Sequence, residues 1–430
     1  MLSLYLLIPV FILMLILGVP IAIVILLTSA IGLYFEGIPL SMLPQTMING
    51  IKSYTLLAVP LYILAGELMN ASGVAKRIFD FAIALVGHIK GGLGHVNILA
   101  SLVFAGISGS AMADASGLGR VEIKAMRDEG YDLGFSAAIT AASSTIGPII
   151  PPSIHMMIYA TVAEVPAAAL LIAGLVPGLL MGAGLMIAVY LLAASGRVKC
   201  PVRSRKPIKI VFLKFKEAFL ALLAPIIIVG GIMGGIVTPT EAGVIAVVYT
   251  FLLGIFYRKL NINKISMCLE RTIYSTGVVM FMLAVARIFA WFITIERIPD
   301  AMMGFVFSFT DNKILILFFV DVLLLLLGMI ATASANIVLV TPLLLPMLLP
   351  LGVNPIHLGV VIVFGLVLGI ITPPVGTSLY ILSEVAQISY ERVVKAILIF
   401  YIPLVLVLFI ITYVPQIVLF LPKIVGLMPR

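Results

Sequence analysis

Ser108, Ser110 and Asp114 fall together in the run GISGSAMADASGLG, and Thr332, Ser334 and Asn336 fall together in ATASAN. Both runs are flanked by apolar sequence. Hydroxyl, amide and carboxyl oxygens set among small residues suit a hard cation or a small polar solute. Downstream of each run lies an apolar stretch broken by prolines, Thr145 to Ser153 (TIGPIIPPS) and Ile370 to Ser378 (IITPPVGTS). Proline removes a backbone donor and clashes with the preceding turn, so each helix is expected to unwind there. The freed carbonyls need partners where water is absent. Sodium accepts carbonyl and hydroxyl oxygens, and an unwound turn facing a Ser/Thr-rich tip supplies them. Half-helix N-termini can also face an anionic solute. One such break would read as a kinked helix, and small residues alone would read as tight helix packing. Two breaks at similar distances after two polar tips point instead to a pair of ion sites. Asp114 and Asn336 strengthen this, because polar and ionisable groups within a membrane are costly and usually functional.

The elements that must position these residues are transmembrane helices. The chain has 430 residues, 63% hydrophobic and 10% charged, against about 25% charged in a soluble domain. Runs such as Ala218 to Ile236, Ile273 to Ile295 and Ile397 to Leu421 can each cross a hydrocarbon core of roughly 30 Å. The alternation of an outer-membrane barrel is absent. Net charge is +8, and the basic residues sit in connectors, where they set topology rather than bind nucleic acid. Cys200 and Cys268 both read as lying in polar connectors, with no disulfide framework or metal site. The start MLSLYLLIPVF has no basic residue before Lys52, so it reads as a retained helix rather than a secretory signal. That also permits Met1 to lie outside.

The segment Arg197 to Lys216 carries Arg197, Lys199, Arg203, Arg205, Lys206, Lys209, Lys214 and Lys216 without an acid. It is expected to be a cytoplasmic loop dividing two halves, 1–196 and 217–430. A shift of 222 positions places Gly147 on Gly369 and the first proline break on the second. The same shift places Gly106 on Gly328, Ser110 on Thr332 and Asp114 on Asn336. The fold class is therefore an all-α integral membrane protein built as two inverted repeats. Each holds a re-entrant hairpin (about 94–126 and 315–350) and a proline-broken helix (about 133–162 and 357–385). His88, Lys90, His95, Arg120, Lys124 and Arg127 place the first hairpin's base inside. Lys313 and the stretch 350–357 suit an outside base for the second. The connector with Arg258, Lys259, Lys264 and Arg271 fits strict inversion less well.

The runs GISGSAMADASGLG, IGPIIPPS, AVPLYILAGELMNASG (Ala58 to Gly73) and VTPTEAG (Val237 to Gly243) together resemble the large membrane subunit of TRAP transporters, the tripartite ATP-independent periplasmic systems. The resemblance covers nearly the whole chain. It implies an elevator-type transporter, similar to the ion-transporter superfamily, whose hairpin-bearing domain moves against a scaffold. It implies sodium-driven uptake of an organic acid such as a dicarboxylate or sugar acid across the inner membrane of a prokaryote. The implied partners are a small four-helix membrane subunit and a periplasmic solute-binding protein; sodium is the coupling ion and no cofactor is expected. Carried over by motif, Ser108, Ser110, Gly147, Ile150 and Pro152 would line a first sodium site, the last three through backbone oxygens. By repeat symmetry, Thr332, Ser334, Gly369, Thr372 and Gly376 would line a second, although Ile330 stands where the first half has Ser108. Ser110, Asp114, Ser153, Asn336 and Thr377 would brace the tips or meet the solute.

Glu67 and Arg287 lie in apolar stretches, where they can pair, line a path or snorkel. His155 and His357 are candidates for proton coupling. Trp291 and the tyrosines read as interface anchors. Two other functions compete. Gly106-Ile-Ser-Gly109 fits an intramembrane serine protease if a histidine reaches Ser108, but a protease gives no reason for twin proline breaks. A self-sufficient sodium/dicarboxylate symporter would need no binding protein. A channel is disfavoured because no ring-forming filter is present.

Overall fold

The computed structural model describes residues 2–198, 200–201 and 203–428. Met1 and Lys199, used above for topology, lie outside the described residues. Every regular element among the described residues is helical. Seven helical stretches are long and apolar enough to cross a membrane: Tyr54–Ala71, Ala167–Ala194, Ile208–Met233, Pro239–Phe256, Ile262–Ile295, Lys313–Ile330 and Tyr390–Tyr413. Their outer faces carry large exposed apolar side chains, among them Ile226, Phe256, Ile273, Phe319 and Ile402, as lipid requires.

The helices at the centre are short and almost wholly buried. Gly92–Ser108, Leu133–Ser144 and Pro355–Gly369 pack inside the bundle, and from Ile356 to Gly369 every residue is buried. Small residues permit this. A β-carbon on Gly369 would fall 2.3 Å from the backbone of Gly328, so two helices cross there glycine on glycine. Gly359 likewise admits the ring of Tyr159.

The first hairpin comprises Gly92–Ser108, a break at Gly109 and Ser110, then Ala111–Ser116 and Leu118–Asp128. The first broken helix comprises Leu133–Ser144 and Ile154–Val162. The second hairpin comprises Lys313–Ile330 and Ala333–Leu348, and the second broken helix Pro355–Gly369 and Thr377–Ala386. The two sets interlock. Ile154–Val162 packs on Ala333–Leu348, while Thr377–Ala386 packs on Ala111–Ser116 and Leu118–Asp128.

Charge gathers at one end of the bundle. Arg203 of the basic loop pairs with Glu129, and Arg392 pairs with Asp132 at 2.5 Å. Glu129 and Asp132 close the first hairpin's base. Burial pushes the Asp132 carboxyl up, but the Phe135 N–H and the Arg392 guanidinium outweigh it and hold it below the usual carboxylate range. The connector that fits inversion poorly lies at this same end. A β-carbon on Gly73 would meet the Lys259 side chain at 3.5 Å, and Arg77, which stacks 3.9 Å over the Tyr257 ring, lies close enough to Lys214 of the basic segment for their charges to interact. The second hairpin's base lies elsewhere, where Lys313 Nζ donates to the Gly352 carbonyl at 3.3 Å.

Three expectations are corrected. Cys268 is not in a polar connector but buried inside Ile262–Ile295, a helix that begins eleven residues before the apolar run. At 34 residues it spans roughly 51 Å, so its polar start overshoots the hydrocarbon. The run Ile397 to Leu421 is not one span, because Pro415 ends the helix Tyr390–Tyr413 and opens Pro415–Ile424. The tyrosines are not all interface anchors: Tyr62 and Tyr159 are fully buried and donate to the carbonyls of Pro239 (2.5 Å) and Pro355 (2.8 Å).

Candidate ion and solute site

The first hairpin turns at Gly109, whose left-handed backbone (φ 60°) is open to glycine and costly for other residues. The turn presses against the first proline break: a β-carbon on Gly109 would meet the Pro152 carbonyl oxygen at 2.2 Å. Ser108 ends one helix and Ser110 caps the next, accepting from the Ala113 N–H at 3.4 Å. Asp114 lies one turn on. One carboxyl oxygen accepts from the Ser108 hydroxyl at 2.5 Å; the other is buried with no hydrogen-bond partner. That second oxygen lies against Gly147, whose added β-carbon would meet it at 2.9 Å. Ser108, Ser110, Asp114, Gly147 and the Pro152 carbonyl therefore converge. The Ile150 side chain packs against Gly178, which leaves its backbone oxygen as the group it could offer. Ser153 is engaged within its own break, donating to the Pro148 carbonyl and accepting from the Met156 N–H.

The second tip is less enclosed. Thr332 is exposed and Ser334 half-buried. Asn336 is buried and braces the turn, donating to the carbonyls of Leu327 (2.7 Å) and Ala331 (3.2 Å). Gly369 meets Gly328 at the base of this turn, Thr372 donates to the Leu368 carbonyl at 2.8 Å, and Gly376 takes a left-handed φ of 51° before Thr377. Two tyrosines hold the second break. Tyr401 donates to the Ile371 carbonyl, and Tyr390 to the carbonyls of Pro374 (2.9 Å) and Val375 (3.1 Å). The Ser378 hydroxyl is buried without a partner. Each break contains one cis prolyl bond, Pro151–Pro152 and Pro373–Pro374.

Beneath the first tip runs a buried polar cluster that sequence reasoning missed. Asn97 donates to Glu122 (2.6 Å) and Thr140 (2.7 Å), and Ser143 donates to Asn97 (2.6 Å) while accepting from Ser101 (3.1 Å). All five residues are buried. A signal was present: Asn97, Ser101 and Ser108 recur at spacings of four and seven, one helix face.

Glu67 and Arg287 do not pair with each other. Arg271 meets Glu67 at 3.4 Å, and Arg287 meets Glu164 at 2.9 Å. Neither histidine is a base for Ser108, whose hydroxyl goes to Asp114. His357 Nε2 lies 2.8 Å from the Ile411 carbonyl, and His155 Nδ1 is buried and unpartnered. Among the described residues no three His, Cys, Asp or Glu side chains group as metal ligands. The oxygens on offer at the first tip are hydroxyls, carbonyls and one carboxylate, a set suited to a hard monovalent cation.

Residues 8–417 match the family described as "Tripartite ATP-independent periplasmic transporter, DctM component". The chain is 40% identical to the sialic acid TRAP transporter large permease of Vibrio cholerae, over 93% of this chain and 91% of that one. It is 37% identical to the C4-dicarboxylate TRAP transporter large permease of Pseudomonas aeruginosa, over 87% and 88%. Among solved structures, the YdaH transporter of Alcanivorax borkumensis shares the fold, with a TM-score of 0.61 at 15% identity over 87% of this chain and 88% of that one.

Proposed function

The chain belongs to the DctM-component family of TRAP transporter large permeases, multi-pass proteins of the bacterial inner membrane and not enzymes, and from that premise we propose that it imports an organic acid driven by sodium. The observation that carries the reading is the orphaned Asp114 oxygen. It is buried beside Gly147 and the Pro152 carbonyl without a donor. A buried carboxylate oxygen without a hydrogen-bond donor is costly unless a cation or a bound proton neutralises it. Sodium at the first tip supplies that cation. The second site, at Thr332, Ser334, Gly369, Thr372 and Gly376, follows by the repeat.

The solute is read as a carboxylate on two grounds. The relatives named above act on sialic acid and C4-dicarboxylates. Three helices, Ile154–Val162, Ala333–Leu348 and Thr377–Ala386, also begin at the two breaks and the second tip, and helix N-termini favour anions. The interlocked hairpins and broken helices form the moving domain in this reading, and the long outer helices form the scaffold. A small four-helix membrane subunit and a periplasmic binding protein complete the transporter.

The test is thermal unfolding of the purified chain in sodium against choline at equal ionic strength. A ligand at 100 times its dissociation constant stabilises by about 2.7 kcal/mol. A sodium-specific rise, reduced in Ser110→Ala and in Thr332→Ala, is the expected result. No sodium effect at saturating concentration would overturn the reading.

A further inference from the structure

A cavity of about 370 Å³ lies between the long helix Ile262–Ile295 and the end of the first broken helix. Its wall includes Asn49, Ser53, Thr55, Glu164 and Arg287. The size falls within the roughly 300–1,000 Å³ of small-molecule sites. Glu164 follows the helix Ile154–Val162, which starts at the first proline break. That helix of nine residues is about 14 Å long, so the cavity stands one short helix from the first hairpin tip. The opposite wall belongs to a helix that begins beside the basic end of the bundle and reaches Arg287 about 38 Å later. The cavity therefore lies far from the basic loop.

We propose that this cavity is a vestibule for the carboxylate of the incoming solute, in which Arg287 exchanges Glu164 for the arriving anion. The inference rests on the reading of the cargo as an organic acid. Three observations carry it. First, Arg287 is held at its root and free at its tip. Gly50 packs so closely that an added β-carbon would fall 2.9 Å from that of Arg287, while the arginine side chain as a whole is 54% exposed. Second, the pair is easily exchanged. The Glu164 side chain is 70% exposed, and ion pairs this exposed contribute little to stability. Only Nη1 of Arg287 meets Glu164, at 2.9 Å, and a guanidinium has further donors for a two-pronged grip on a carboxylate. Third, Glu164 sits at a left-handed backbone position (φ 55°), where glycine is the relaxed choice. This left-handed turn closes the helix end and sets the direction in which Glu164 leaves it. The pair also joins the two walls, so its exchange occurs where solute passes between scaffold and hairpin domain.

The chain carries its own reporter. Its single tryptophan, Trp291, lies four residues after Arg287 on the same helix face. The experiment is a tryptophan-fluorescence titration of the full chain in detergent, in choline buffer at constant ionic strength. The probes are succinate, N-acetylneuraminate and the uncharged succinamide. A saturable change is expected with at least one carboxylate and none with succinamide. Arg287→Gln is expected to weaken the apparent affinity about tenfold, with Arg287→Lys between it and the parent. Glu164→Gln is expected to strengthen it by up to about fivefold, because the competitor is gone. Opposite signs for the two variants are the signature of exchange. Weakening by both, no effect of either, or no saturable signal from either carboxylate would overturn the vestibule. Sodium-dependent melting is expected to be unchanged in both variants. Its absence alongside intact succinate binding would count against the ion sites alone.

Discussion

Gly109 and Pro152 meet so closely that a β-carbon on the glycine would lie 2.2 Å from the proline carbonyl oxygen. This contact holds the first hairpin tip against the first broken helix. Gly109→Ala is expected to lower the melting temperature and remove the sodium-dependent rise. Two causes add: the left-handed φ costs about 1 kcal/mol, and the Pro152 carbonyl must move. Gly130→Ala separates them. Gly130 also has positive φ (78°), but nothing lies within 4 Å of its added β-carbon. It is expected to lose about 1 kcal/mol with the sodium response intact. Equal behaviour of the two variants in paired melts would remove the contact's special role.

Asp114→Asn keeps shape and removes charge. It is expected to leave the chain folded and to raise the sodium concentration needed for half-maximal stabilisation by about tenfold or more, a difference of roughly 1.4 kcal/mol. Ser108→Ala takes away the hydroxyl that orients the carboxylate and is expected to give a smaller shift in the same direction. A sodium titration by melting temperature measures both. An Asn variant with parental sodium affinity would show that the carboxylate does not meet the cation.

Glu122 anchors a cluster in which Asn97 and Ser143 depend on one another. Glu122→Leu is expected to cost about 2–3 kcal/mol, because it leaves the Asn97 amide short of a buried partner. Glu122→Gln retains a carbonyl acceptor and is expected to cost about 1 kcal/mol or less. The comparison is read by chemical or thermal unfolding in detergent. A leucine variant as stable as the parent would mean that the cluster does not secure the hairpin arms.

Asp132 titrates outside the membrane and gives a pH test with a definite sign. Its carboxyl is held below the usual range in the folded chain, so its contribution is present above the unfolded value of about 3.9 and is lost as pH falls through the lower folded value. Asn caps helices about as well as Asp, so Asp132→Asn isolates the charge pair with Arg392. The pair is about half exposed, so the expected loss at pH 7 is only about 0.5 kcal/mol. Asp132→Ala also loses the cap to Phe135 and is expected to cost about 1 kcal/mol more. The Asn variant's deficit should vanish below the folded value. A deficit that persists in acid would assign the effect to packing instead of charge.

Much of the fold is legible because its signals are local. Apolar runs longer than a bilayer core mark spans wherever they occur. Pro148, Pro151 and Pro152, and again Pro373 and Pro374, end helices by removing donors, whatever surrounds them. Ser110, Thr332 and their small neighbours announce the tips. Reading failed where a residue's setting depends on distant chain. Cys268 looked loop-bound because its neighbours are polar, yet it belongs to a helix that overshoots the hydrocarbon. Tyr401 and Tyr390 looked like interface anchors, yet they hold carbonyls of the second break, which lie 30 and about 16 residues away.

The sequence by itself determined that the chain spans a membrane, where its helices break, and which small polar residues stand at the breaks. Each of these follows from the chemistry of a few consecutive residues. Only the tertiary structure decided which oxygen meets which partner: Asp114 beside Gly147, Asn97 on Glu122, Arg287 on Glu164. Those partners lie 25 to 123 positions apart in the last two cases. The physical reason is that an apolar helix in lipid has no water-facing side to fix its rotation. Close packing of small residues sets its neighbours instead, and composition does not encode that choice.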